Sequence, residues 1–207
     1  MPRLSEDTRA RRREHILTSA WICFSRDGFH AASMDDVIAA SGVSSSAVYR
    51  YFRSKEELID ATAEVGLGLV RDIFARILEA RPTPGPAQTL ATIVDELRGR
   101  TEHPDHDLSK LAMQTWAEAL RRTPLSERTR ALYAETQVHL AALASRWRDD
   151  GHLPATADPA AAAAVIFALM HGLIVCHHLA EGVSADVLVR GLSALGAGVT
   201  EQGPERI

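Results

Sequence analysis

Between Ser33 and Lys55 the chain reads SMDDVIAASGVSSSAVYRYFRSK, and its hydroxyl, phenol and guanidinium groups carry the first chemical signal. Ser44, Ser45 and Ser46 are followed within two helical turns by Tyr49, Arg50 and Tyr51, and then by Arg53 and Lys55. Small polar and aromatic side chains on the outer face of a short helix suit the major groove of a DNA duplex. Arg9, Arg11, Arg12 and Arg13 precede the segment, so cations bracket it on both sides. Phosphate contacts need such an arrangement to set register on a duplex.

The elements that must position these groups are also legible. Ser33 and Asp36 have capping-box spacing and open a helix whose inward face is Val37 and Ile38. That helix stops at Gly42, which takes the left-handed conformation at low cost, and Val43 plugs the turn. Ser44 is a second N-cap. A helix from Ser45 to about Phe52 then buries Val48 and Phe52, four apart, and turns Ser45, Ala47, Tyr49 and Arg50 outward. This is the build of a helix-turn-helix, and the bland alternative is an ordinary pair of short core helices.

Ile16, Ala20 and Phe24, Gly28-Phe29, Ala40 to Ser44, Val48 to Phe52 and Lys55 to Leu58 together resemble the N-terminal signature of the TetR/AcrR bacterial transcriptional regulators. The resemblance covers about residues 9 to 60. It implies that Ser33, Tyr49, Tyr51 and Lys55 hold phosphates, and that Ser45, Ser46, Ala47, Tyr49 and Arg50 fall where bases are read, with Ser44 at the head of the reading helix. Two positions depart from the pattern: Ser46 stands where glycine is common, and Asp35 puts an acid on the outward face of the preceding helix. An acid there repels phosphate, and Asp35 is open to reading cytosine, capping a neighbour or facing solvent.

Charge divides along the chain. Residues 1 to 55 hold nine basic and six acidic side chains and the remainder fourteen and twenty-one, which assigns DNA to the N-terminal part despite a net charge of -4. An apolar content of 46% argues for a buried core, and abundant Ala and Leu with 5% aromatics argues for an all-α chain. Cys23 and Cys176 sit in apolar helical patterns where a buried thiol is expected. The charged N-terminus lacks a secretory leader, and the apolar run Ala160 to Cys176, interrupted by His171, falls short of the roughly twenty residues that cross a bilayer. The expectation is a cytoplasmic protein with no membrane partner.

Ser54 opens a helix running to about Ala80, where the Pro-rich stretch Arg81 to Pro86 ends it; this connector joins the reading head to the body. Leu90, Val94 and Leu97 share a face, Thr101 to Asp107 reads as a loop, and Leu108 to Leu120 follows helical steps until Arg121 to Pro124. After Ser126 comes a helix whose apolar stripe is interrupted by Thr136 and His139, which either bond to neighbouring helices or line a cavity. Asp158 and Pro159 open a helix to about Ala180 that is apolar nearly all round, and Ser184 caps a last one. The excess apolar surface predicts a symmetric dimer through Val165, Leu169, Gly172 and Cys176 with Leu188, Gly191, Leu192 and Leu195. The resemblance implies the same two helices. His171, His177 and His178 read as interface-rim residues rather than a metal site, and the acidic, His-containing 101 to 107 segment as a solvated loop.

The expected protein has residues 1–53 as a helix-turn-helix DNA-binding domain of three helices, and 54–207 as a helical ligand-binding and dimerisation domain. It is read as a dimeric repressor released from a palindromic operator by a small, mostly apolar effector, held by Leu97, Met113, Trp116, Thr136, His139, Leu143 and Phe167. No cofactor or metal is expected, and no nucleophile motif or paired carboxylates suggest an enzyme. The competing classes are a helical-bundle small-molecule-binding protein and a constitutive DNA binder without effector.

Overall fold

A computed structural model describes residues 5–200, apart from the side chains of residues 100–102, 185, 193 and 195–200. Among these residues the chain is almost wholly helical: α1 (Glu6–Ala31), α2 (Met34–Ser41), α3 (Ser45–Tyr51), α4 (Lys55–Glu79), α5 (Pro86–Thr101), α6 (Leu108–Ala119), α7 (Thr123–Asp149), α8 (Pro159–Leu179) and α9 (Ala185–Thr200). The exception is a minimal antiparallel ladder of β1 (Glu102–His103) and β2 (His106–Asp107). The expected loop over 101–107 is therefore folded: Pro104 and Asp105 supply a tight turn, and the His103 and His106 rings stack across it at 4.5 Å. Asp107 caps α6, its Oδ1 accepting from the amides of Ser109 and Lys110.

The chain forms two compact units, Met1–Leu69 with Arg100–Thr129, and Val70–Gly99 with Arg130–Ile207. Helices α4 and α7 each contribute to both. In the first unit Ile16, Ala20 and Phe24 of α1 pack with Val37, Val48, Phe52 and Leu58, so the three N-terminal helices and the start of α4 share one core. Trp21 donates its indole N–H to Thr62 Oγ1 at 3.1 Å, tying α1 to α4. Cys23 is buried, and desolvation pushes its thiol pKa up.

The second unit buries Phe74, Ile93, Leu132, Leu140 and Trp147. A cluster of polar contacts follows the end of α4. The last carbonyls of a helix have no intrahelical donors, and Pro82, Pro84 and Pro86 have no N–H to offer. Arg146 of α7 supplies donors there, giving hydrogen bonds to Leu78 O (2.9 Å), Ala80 O (3.1 Å) and Thr83 Oγ1 (2.7 Å), and Arg81 Nη1 donates to the same two carbonyls at 2.9 and 2.8 Å. Beside it Trp147 Nε1 donates to Pro84 O at 2.7 Å.

Four further expectations differ from the structure. Helix α7 begins at Thr123, not after Ser126, because Pro124 in its first turn removes only an N–H that would have had no partner. Leu120 is 89% exposed rather than on the inward face of α6: the helix ends at Ala119, and the stripe ends with it. Helix α8 has 21 residues, so by length and composition alone it is long and apolar enough to cross a bilayer, where the run from Ala160 to Cys176 falls short. Cys176 is half-buried rather than buried.

Candidate nucleic-acid interface

Helix α2 starts on a complete capping box. Ser33 Oγ accepts from the Asp36 amide at 3.1 Å, and Asp36 Oδ2 accepts from the Ser33 amide at 2.8 Å and hydroxyl at 2.6 Å. The hydrogen bonds from Ser33 hold the Asp36 carboxyl below the usual carboxylate range. Asp35 and Asp36 are both exposed, and Asp36 is the one engaged in the cap. Ser33→Ala should lower stability by about 1 kcal/mol, read from urea unfolding, and should leave the α3 surface intact.

The turn between α2 and α3 is held from three directions. Gly42 has φ 63, the left-handed geometry expected of it, with its amide bonded to Ala39 O. Ser41 Oγ donates to Ile38 O at 3.0 Å, and His15 Nε2 donates to Ser41 O at 2.8 Å from α1. Val48 and Phe52 anchor α3, both almost fully buried, and the Arg13 guanidinium covers the Phe52 ring at 4.9 Å. What remains outward is the polar face: Ser44, Ser45, Ser46 and Arg50 are exposed, Tyr49 is 44% exposed, and Ala47 and Tyr51 are half-buried. Ser44 is the N-cap by backbone geometry, yet its hydroxyl pairs with Ser46 Oγ at 3.3 Å instead of capping an amide. The Arg50 guanidinium lies 5.7 Å from the Tyr51 ring centroid, a cation–π contact that restrains its base.

Lys55 has a role its position in the sequence did not suggest. Its Nζ donates to His30 O and Ala32 O, both at 3.0 Å, closing the C-terminal end of α1. An ammonium has three donors, so one N–H is left over from these two bonds. At the other end of the same turn Glu57 Oε2 accepts from the Arg53 amide at 2.8 Å while the Glu57 amide bonds Ser54 Oγ, a capping box shifted by one residue.

The ligand candidates are distributed over both units. Met113 and Trp116 lie half-buried on α6 in the first. In the second, Leu97 and His139 are half-buried, Thr136 and Leu143 are buried, and Phe167 is half-buried. Phe167 is drawn into an aromatic trio with Tyr133 and His171, with ring centroids 4.4–5.1 Å apart. His171 Nδ1 donates to Phe167 O at 2.8 Å, and burial pushes its pKa below the ordinary histidine value. Tyr133 was missed from sequence because it flanks the Leu132 stripe instead of lying on it.

Helix α8 leaves one side uncovered. Val165 is 51% exposed, and Leu169, Gly172 and Cys176 follow at steps of four, three and four, each half-buried. Val175 and Leu179, both exposed, extend the patch. On α9 Leu188 and Leu192 are half-buried and Gly191 exposed, while the side chain of Leu195 lies outside the described residues. His177 and His178 meet edge to face at 4.7 Å.

Residues 16–62 match the bacterial regulatory proteins of the tetR family, and residues 86–197, more than half of the chain, match the C-terminal region of BetI-type transcriptional repressors. The chain belongs to the TetR family of transcriptional regulators. These are not enzymes. The HTH-type transcriptional repressor Rv1474c of Mycobacterium tuberculosis is 30% identical over 131 residues, covering 57% of this chain and 63% of that protein. The curated relatives are matched over 32% to 63% of their own length. Among solved structures, GusR of Salmonella enterica is 26% identical, with a TM-score of 0.67 over 95% of this chain and all of that one. A transcriptional regulator from Saccharomonospora viridis, in complex with choline, shares the fold at 20% identity, with a TM-score of 0.73 over the same shares. Helix α8 lies inside the matched C-terminal region.

Proposed function

We propose that this TetR-family protein is a cytoplasmic, dimeric repressor that binds a palindromic operator through α3 and is released from it by a small molecule. The observation that carries the reading is the α3 surface: Ser45, Ser46, Tyr49 and Arg50 face outward from a helix whose other side is locked into the core. Two copies related by a two-fold axis would place α3 in successive major grooves about 34 Å apart. The division of labour is residues 1–53 for DNA and 54–207 for the effector and the partner subunit. Repression as the sign of regulation is supported by the repressor-named relatives.

In this reading Arg50 reads a base edge and Tyr49, Tyr51 and Lys55 hold phosphates, Lys55 with the N–H that its two carbonyl bonds leave over, while Ser33 joins them only by turning its hydroxyl away from Asp36. Arg50→Ala is therefore expected to flatten discrimination among operator variants. Lys55→Ala should weaken all sequences about equally and lower the salt slope by roughly one phosphate unit, with some added loss of stability from the uncapped carbonyls. Affinities measured across operator variants at several salt concentrations separate the two; uniform weakening by Arg50→Ala would exchange the assigned roles.

The effector is a mostly apolar molecule with one polar handle. Its proposed surroundings in the second unit are Leu97, Thr136, His139, Leu143 and Phe167, with Tyr133 and His171 offering aromatic faces. The choline held by the Saccharomonospora fold neighbour supports a small-molecule site in such a scaffold. Release requires that the effector bind one arrangement of the dimer better than another, with couplings typically about 1–3 kcal/mol.

A further inference from the structure

Helix α1 is interrupted just before the reading head. At Gly28 the backbone takes φ 82 and ψ 165, so the helical ladder breaks and the groups on either side lose their ladder partners. One side chain from α6 replaces them. Gln114 Oε1 accepts from the Phe29 amide at 2.7 Å, and Gln114 Nε2 donates to Phe24 O at 3.1 Å. Both ends of the amide are used, one on each side of the break, so the side chain joins the two halves of α1 as a two-point stitch. A Cβ at Gly28 would stand 3.6 Å from Gln114 Oε1, so the break and the stitch are in van der Waals contact.

The same face of α6 continues the hold. Glu118, one turn on and buried, meets His30 Nε2 at 3.2 Å, and Arg121 Nη1 lies 3.2 Å from that nitrogen. Only Ala32 separates the end of α1 from Ser33, the N-cap of α2, and Ala32 is itself buried. The direction in which the chain leaves the break therefore sets where α2 and the α2–α3 turn begin. Hydrogen bonds reaching 85 and 90 residues along the sequence fix that direction.

We propose that Gln114 is a positioning residue for operator reading: by stitching α1 across Gly28 it sets the angle at which α2 and α3 are presented. In a dimer that angle governs the half-site spacing that both α3 helices can meet at once, and this part rests on the operator reading above.

The test uses the full chain with Gln114→Leu, which keeps approximate size and loses both bonds, and Gln114→Glu, which keeps the acceptor for Phe29. Hydrogen exchange at the Phe29 amide and affinity for operators with half-sites moved one base pair closer or farther are both measured. The Phe29 amide should exchange at least about tenfold faster in Gln114→Leu. Affinity at the preferred spacing should fall about tenfold while neighbouring spacings lose less, so the spacing profile flattens, with Gln114→Glu between the two. A parent-like profile despite a deprotected Phe29 overturns the proposal, as does a uniform loss at every spacing, which a merely structural role would give. If the parent selects no operator, the operator reading fails by itself. Equal Phe29 exchange in parent and Gln114→Leu would overturn the stitch without reference to DNA.

Discussion

Val165→Glu is expected to convert the protein to a monomer and to weaken operator binding by at least about a hundredfold. Val165 is half exposed in the single chain, so a carboxylate there leaves the protomer's own packing almost untouched. In a two-fold interface built on α8 the substitution appears twice, and each copy must be buried without a partner cation, which costs several kcal/mol. Loss of the dimer then removes the gain from engaging two half-sites together, since each α3 binds alone. Sedimentation and operator titration of the same preparation check the two parts, with the melting transition as the control for folding. A Val165→Glu protein that remains dimeric and binds operator like the parent would remove α8 from the interface.

The second large effect belongs to Trp147. Its side chain is fully buried and its indole N–H is committed to Pro84 O, so Trp147→Ala removes both the packing of a large ring and the donor that serves a proline-rich turn. The expected loss is about 3–5 kcal/mol. Trp147→Phe keeps most of the volume and should cost much less than the alanine change, with about 1 kcal/mol of its loss coming from the missing hydrogen bond. Urea unfolding at one fixed protein concentration measures both, because an associating protein changes apparent stability with concentration. Equal losses for the two variants would mean that the hydrogen bond, not the ring, secures the turn.

The parts of this molecule that sequence reading recovered are those specified locally. Ser33 and Asp36 are three apart, Gly42 ends the helix they open, and Asp158 with Pro159 starts α8; in each case the residue that decides the geometry is within one turn of what it decides. The outward face of α3 followed from the four-residue spacing of Val48 and Phe52 in the same way. What was not legible is carried by side chains that meet across long separations. His15 reaches Ser41, Lys55 reaches His30 and Ala32, and Gln114 reaches Phe24 and Phe29; nothing in the immediate surroundings of these residues marks them. Periodicity misled at Leu120 because an apolar stripe does not announce where its helix ends. For the ligand candidates, Thr136 and His139 were rightly noticed as polar interruptions of a stripe, but Tyr133 and His171 come together with Phe167 only through the pairing of α7 with α8.

The central claim is that α3 in a two-fold dimer reads a specific duplex. Selection of the purified full chain against a random duplex library at moderate salt, with sequencing of what is retained, tests it most directly. The account predicts a palindrome with half-sites about one helical turn apart, whose bound fraction falls steeply as salt rises. Weak retention without sequence preference, or a single unpaired half-site, would contradict it.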